Sequence, residues 1–131
     1  MDDKKLWKVF SQFIRLRDSN DHGYCKCFTC GRVRYWTDLD CGHGIGRQHL
    51  SVKYSEKNNH AQCKHCNGFE EGMKDIYAKN VDEKYGKGTW NLLKLAARKP
   101  FSLSNFEITA LTVHYKKEVE KLKKQKELIR A

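Results

Sequence analysis

The sequence contains no run of about 18 apolar residues, which excludes an α-helical membrane span. Met1-Asp2-Asp3-Lys4-Lys5 leads into an amphipathic segment that lacks the apolar block and small-residue cleavage site of a secretory signal. A cytoplasmic protein with no membrane partner is therefore expected. No internal repeat and no low-complexity linker interrupts the 131 residues, a length that suits one compact domain with a helical extension. Acidic residues are scarce relative to basic ones, 16 against 26, leaving a net charge of +10. Such a surplus attracts polyanions, of which nucleic acid is the commonest.

What is present falls into three stretches. Residues 1–20 carry Leu6, Phe10, Phe13 and Ile14 near one face, with Trp7 beside them, which predicts a core-packing helix. Residues 21–86 hold all six cysteines, strand character from Arg32 to Trp36, and a helix expected from Asn67 to about Tyr85 with Gly72 as a weak point. The alternating Gly42, Gly44 and Gly46 predict a tight turn or close backbone approach. In residues 87–131, Thr89 is expected to cap a short helix that Pro100 stops. Ser104-Asn105-Phe106-Glu107 reads as a capping box, with Leu103 and Ile108 as a hydrophobic staple. The helix it starts could run to Arg130, with seven Lys or Arg among residues 116–130.

Cys27-Phe28-Thr29-Cys30 and Cys63-Lys64-His65-Cys66 have the spacing of two zinc knuckles, each chelating from one turn. Disulfides and a redox pair are the alternatives, and both fit less well in a basic chain with two Cys-x-x-Cys pairs. Cys25 could replace Cys27, and His65 could replace a cysteine; otherwise Cys25 and Cys41 are surplus thiols. Residues 31–62 separate the pairs, more than the ~15–20 of an ordinary zinc ribbon. The excess can hold a hairpin and an extended loop.

That segment and its flanks carry chemistry. If zinc clamps the two pairs together, Asp40 and His43 can face Asn67 across one cleft. Phosphodiester hydrolysis needs an activated water, a cation on the phosphate oxygens and help for the leaving oxygen. A neutral imidazole suits the general base. A hard cation such as Mg²⁺ or Mn²⁺ takes oxygen ligands, which Asp40 and Asn67 could supply. Asn58 could hold the loop bearing His43. Asn67 could instead simply cap the following helix, and Glu70 could be an ordinary first-turn carboxylate.

Residues 24–74 resemble the His-Asn-His endonucleases and, within them, the NinG (Rap) recombination proteins of lambdoid phages. The carrying stretches are Cys27-x-x-Cys30-Gly31, Cys41-Gly42-His43-x-x-x-Arg47 and Asn58-Asn59-His60-Ala61-Gln62-Cys63-Lys64-His65-Cys66-Asn67. Phage endonuclease VII, a Holliday-junction resolvase, is similar in its Leu-Asp pair with a His three residues on (Leu39, Asp40, His43), in Asn67 and Glu70, and in Met73-Lys74. The resemblance implies an α+β fold with a zinc-stapled ββα-metal (His-Asn-His) core, an N-terminal helix and long C-terminal helices. It implies His43 as general base, Asp40 and Asn67 on the catalytic cation, Asn58 orienting His43 and Glu70 assisting. The last triad residue is Asn67 rather than His, a departure shared with endonuclease VII.

The implied activity is cleavage of branched DNA such as Holliday junctions, by a zinc-stapled enzyme with no small-molecule cofactor. Arg47, His49, Lys53, Lys64 and Lys74 are the expected DNA contacts. A homodimer is expected, because paired nicks need two sites related by a twofold axis; Val119 and Leu122 could face a dimerisation partner. A non-catalytic zinc module that binds nucleic acid is the alternative, as is a nicking or restriction nuclease of the same superfamily. No base-reading helix is recognisable, which favours selection by shape.

Overall fold

The computed structural model describes residues 2–126, apart from the side chains of Glu70 and Glu71. Helix α1 spans Lys4–Asp18 and buries Leu6, Val9, Phe10, Phe13, Ile14 and Leu16, the helical stripe expected from the sequence. It ends at Ser19, whose backbone is extended and whose N–H and hydroxyl both donate to the Leu16 carbonyl. Two antiparallel hairpins follow. Strands β1 (Tyr24–Lys26) and β2 (Val33–Tyr35) pair with Cys25 opposite Arg34. Strands β3 (Leu39–His43) and β4 (Asn59–Cys63) pair with Asp40 opposite Gln62 and His43 opposite Asn59. The connection between β3 and β4 contains the one-turn helix α2 (Leu50–Lys53).

The β3–β4 hairpin lies between two layers. Cys41 on one face joins the cluster formed by α1, Trp36 and the final helix. On the other face lies α4 (Glu70–Tyr85), with Tyr77 fully buried. A Cβ on Gly42 would overlap the Gln62 side chain, and one on Gly44 would press on Trp90, Tyr77 and Asn58. Gly42 thus makes room for Gln62 across the hairpin, and Gly44 for Tyr77 and Trp90 against it.

Helix α6 (Asn105–Gln125) packs along α1, with Phe10 and Tyr115 edge to face at 4.9 Å. Its capping box is formed: the Ser104 hydroxyl accepts the Glu107 N–H, and the Glu107 carboxylate accepts the Ser104 N–H. Leu103 and Ile108 join the same cluster, as a staple requires. Val119 is buried in this cluster and Leu122 packs against it, so both residues are engaged within the chain. The expected continuation through residues 127–130 lies outside the described residues.

Two expected helix boundaries differ. The helix expected from Asn67 is split into α3 (Lys64–Gly68) and α4, with Phe69 extended between them. A second irregularity follows inside α4. The Gln62 side-chain amide donates to the Gly72 carbonyl at 2.9 Å, and Gly72 and Met73 take left-handed backbone angles. Thr89 does not cap α5 (Thr89–Ala97); Gly88 occupies that position in the left-handed conformation, and the Thr89 hydroxyl donates to the Gly86 carbonyl. Among the described residues, no helix is long and apolar enough to cross a membrane.

Candidate active site

The two cysteine pairs meet. The chain leaves β1 into a turn in which Cys27 N–H donates to Arg32 and Gly31 N–H to Cys27, with Gly31 left-handed at φ +77°. Cys63 ends β4 and caps α3, its sulfur accepting the Cys66 N–H at 3.4 Å. The sulfurs of Cys27, Cys30, Cys63 and Cys66 all lie within 4.8 Å of one another. Four thiols converging from two knuckles are the donor set of a structural zinc site, and these residues could hold one zinc ion. Cys25 and Cys41 lie buried outside the cluster, and burial pushes both thiols up to about 12, so neither is a reactive thiolate at neutral pH.

The cysteine cluster sets the start of α3, and that sets Asn67. Its side-chain amide donates to one Asp40 carboxylate oxygen at 3.1 Å, while Lys64 Nζ donates to the other at 2.7 Å. Asp40 and Asn67, 27 residues apart in sequence, are therefore direct neighbours. They line a cleft of about 530 Å³ together with His43, Arg47, Lys64 and Lys74. The cleft follows the outer edge of β3, which has no strand partner among the described residues. Asp40 and His43 consequently reach it from opposite faces of the strand: Asp40 from the α3 side, His43 from the α1 side, where Trp7 stacks on its ring at 4.6 Å.

His43 is neutral at physiological pH. Burial, reinforced by the positive charges of Arg47, Lys53 and Lys74, pushes its imidazole down to about 3. Its Nε2 is buried and has no hydrogen-bond partner among the described residues. Asn58 holds the loop that follows. Its fully buried side chain accepts from Ile45 N–H at 2.8 Å and donates to the carbonyls of Ile45 and Val52. The Asn58 carbonyl also accepts from Gly44 N–H.

The expected DNA contacts divide. Arg47, Lys64 and Lys74 line the cleft, although Lys74 also donates to the Gly44 carbonyl. Lys53 is instead committed to Asp3 in a largely buried ion pair of 2.6 Å, and Tyr54 donates to the same carboxylate. This removes Lys53 from the exposed contact set, because leaving Asp3 would strand a buried carboxylate. His49 is exposed just before α2 and is not part of the cleft lining. Glu70 begins α4; its side chain lies outside the described residues.

Several residues of the site carry no functional signal in the sequence. Trp7 covers His43, and Arg15 lines the cleft from α1. Beneath the hairpin, the Tyr77 hydroxyl donates to the carbonyls of Gly42 and Asn58 at 2.8 and 3.1 Å. Having donated its proton there, Tyr77 accepts from His60 Nδ1, so His60 Nε2 accepts from the Tyr85 hydroxyl at 2.7 Å. Only the His60-Tyr77 spacing on a hairpin and a helix could have signalled this, and sequence offers no register between them.

The donor chemistry of Asp40 and Asn67 also fits a hard divalent cation. One anionic oxygen and one amide oxygen are typical protein ligands for such an ion, with water completing the shell. The Asn67 amide need only turn over to bring its oxygen beside the Asp40 carboxylate, a rotation that changes no backbone atom.

A family model described as "Bacteriophage Lambda NinG protein" matches residues 3–127. The chain belongs to the NinG family, and membership implies a phage recombination-related protein. No curated protein and no solved structure matches the chain, so the resemblance to endonuclease VII rests on Leu39, Asp40, His43, Asn67, Glu70, Met73 and Lys74 alone.

Proposed function

We propose that the protein is a metal-dependent endonuclease acting on branched DNA recombination intermediates such as Holliday junctions, with a zinc-stapled ββα-metal core. The carrying observation is the contact between Asp40 and Asn67 in a cationic cleft shared with a neutral histidine. In this reading β3, β4 and the α3–α4 segment are the two strands and helix of the ββα unit. Zn²⁺ on the four cysteines is the staple. Asp40 and Asn67 hold Mg²⁺ or Mn²⁺, which when bound would polarise the phosphate and stabilise the leaving oxygen. Arg47 and Lys74 draw the phosphodiester in, and Lys64 moves from Asp40 to a flanking phosphate. His43 accepts a proton from the attacking water. Cancelling the charges of Arg47 and Lys74 by a bound phosphate raises the proton affinity of His43 when a base is needed. Asn58 keeps the His43 loop in place.

The Lys64–Asp40 ion pair favours a second reading, in which the cation position is filled by an ammonium and the protein is a zinc module that only binds nucleic acid. One experiment separates them. A labelled four-way junction and a linear duplex of matching sequence are incubated with wild type, His43→Ala and Asn67→Ala in Mg²⁺ and Mn²⁺. The nuclease reading expects junction-selective cuts, reduced about 10²–10⁴-fold in His43→Ala and abolished in Asn67→Ala, with binding retained. Binding without cleavage by wild type would establish the second reading.

A further inference from the structure

A groove of about 870 Å³, larger than the active-site cleft, lies on the far side of the β3–β4 hairpin. The cleft follows the β3 edge; the groove lies beyond β4, where Phe28 N–H donates to the Ala61 carbonyl and brings β1 alongside. One wall is a face of the β1–β2 hairpin. The pairing register puts Tyr24, Lys26 and Val33 on that face, and Tyr24 and Val33 are about half exposed, at 50% and 48%. Tyr24 packs edge to face on Tyr35 at 5.5 Å, which leaves about half of Tyr24 and of Val33 open to the groove. The opposite wall is the end of α4, with Lys84 and Tyr85, and the segment bearing Lys57.

The groove is chemically suited to unpaired nucleotides. The Tyr85 ring is held from behind, its hydroxyl donating to His60, a residue with 0% exposure whose ring stacks on Phe28 at 3.9 Å. A ring fixed in this way is a platform that loses little freedom when a base stacks on it. The ammonium groups of Lys57 and Lys84 lie over this ring, 5.6 and 5.4 Å from its centre, and a stacking base would take their place as they turn to its phosphates. Lys26, Lys57 and Lys84 make no ion pair among the described residues. Of the groove's two acids, Asp18 is paired with Arg17 and also accepts from Ala61 N–H, while Glu56 accepts only the neutral Tyr115 hydroxyl, so three lysines stand against one carboxylate without a cationic partner. A surplus of lysine around the exposed Tyr24 ring and the partly buried Tyr85 ring matches phosphates spaced along an unstacked strand; a closed duplex would offer no base face to the rings.

We propose that this groove binds an unpaired DNA strand, so that the β3–β4 hairpin carries the cutting cleft on one edge and a single-strand site on the other. The identity of the polymer rests on the nuclease reading, and the groove would supply its preference for branches over closed duplex.

The test is fluorescence anisotropy of full-length, zinc-loaded protein without Mg²⁺ or Mn²⁺. The probes are oligothymidylate of about 12 nucleotides and a blunt duplex of equal length. Lys57→Glu/Lys84→Glu and Tyr24→Ser should each weaken oligothymidylate binding by about tenfold or more, Tyr24→Phe should restore it, and duplex binding should change less than about twofold. Equal losses on both probes, or none on either, would overturn the proposal. Junction cleavage by wild type in Mg²⁺ separates the two readings. If wild type cuts and the groove variants bind oligothymidylate normally, the groove proposal alone falls. If wild type does not cut but its oligothymidylate binding depends on the groove, the nuclease reading falls and the single-strand site stands.

Discussion

His43 illustrates how one side chain's environment decides its chemistry. A free imidazole titrates near 6.5, whereas here burial and three cations lower it to about 3. Of those cations, Arg47 and Lys74 line the cleft and are open to an anion, while Lys53 is held by Asp3. The coulombic share of the shift is therefore adjustable by ligand and the burial share is not. A histidine titration by NMR should show His43 neutral down to pH 4 in the free protein, and its midpoint should rise when a non-cleavable oligonucleotide binds. A midpoint near 6.5 in the free protein would place His43 in solvent and remove this account. Asn67 shows the complementary case: an ordinary helix-start residue by type, it becomes informative only because Asp40 lies 3.1 Å away.

Among the elements, the knuckles do the positioning. The β1 turn and the β4–α3 junction have little apolar surface of their own, and their cluster is built largely from the cysteines, Leu39 and Ala61. Metal coordination at such a site supplies folding free energy directly. Cys63→Ser should therefore lose bound zinc and the thermal unfolding transition of the β3–β4–α3 unit, by metal analysis and calorimetry. Unchanged zinc content and melting in that variant would show that the cluster is not the staple. The terminal helices behave differently. Helices α1 and α6 close on each other through buried Leu, Ile, Phe, Tyr and Val side chains, each contributing roughly 1.5–3 kcal/mol by burial. That pairing needs no metal, so residual helicity is expected in Cys63→Ser.

For the whole molecule, acid is the condition that bears on fold and site together. His60 is fully buried, and burial, with Arg17 and Lys84 nearby, pushes it down to about 3. Its folded pKa is below the unfolded value of 6.5, so the unfolded chain takes up the proton first. The stability it provides is complete above pH 6.5 and is lost as pH falls from 6.5 toward about 3, at about 1.4 kcal/mol per pH unit. Denaturant unfolding at saturating zinc should thus show lower stability at pH 5 than at pH 7.5, with a shallower difference in His60→Gln; equal pH slopes in the two proteins would contradict this. At the same scale, paired nicks at a junction call for two active sites, and a homodimer is the proposed arrangement. Since Val119 and Leu122 are used within the chain, its contact would draw on exposed side chains such as Leu92, Leu95 and Phe106, the last 80% exposed. Light scattering on junction-bound protein at micromolar concentration should report two copies; one copy would end that proposal.

Local signals were legible in the sequence because they depend on near neighbours. The α1 stripe, the two cysteine pairs and the Ser104–Glu107 capping box involve residues one to four apart, where chain geometry alone fixes who meets whom. The same holds for the glycines, whose close approach the alternation announced. Tertiary structure decided the rest, because each remaining contact joins segments whose register no local rule sets. Gln62 reaches Gly72, where the backbone of a helix that reads as regular turns left-handed. Asp3 captures Lys53 across 50 residues. Trp7 covers His43, and α1 occupies the face of α6 that periodicity left open to a partner. Periodicity identifies an apolar face and spacing identifies a chelate, but only the folded chain chooses what fills the face and which charges stand around the site.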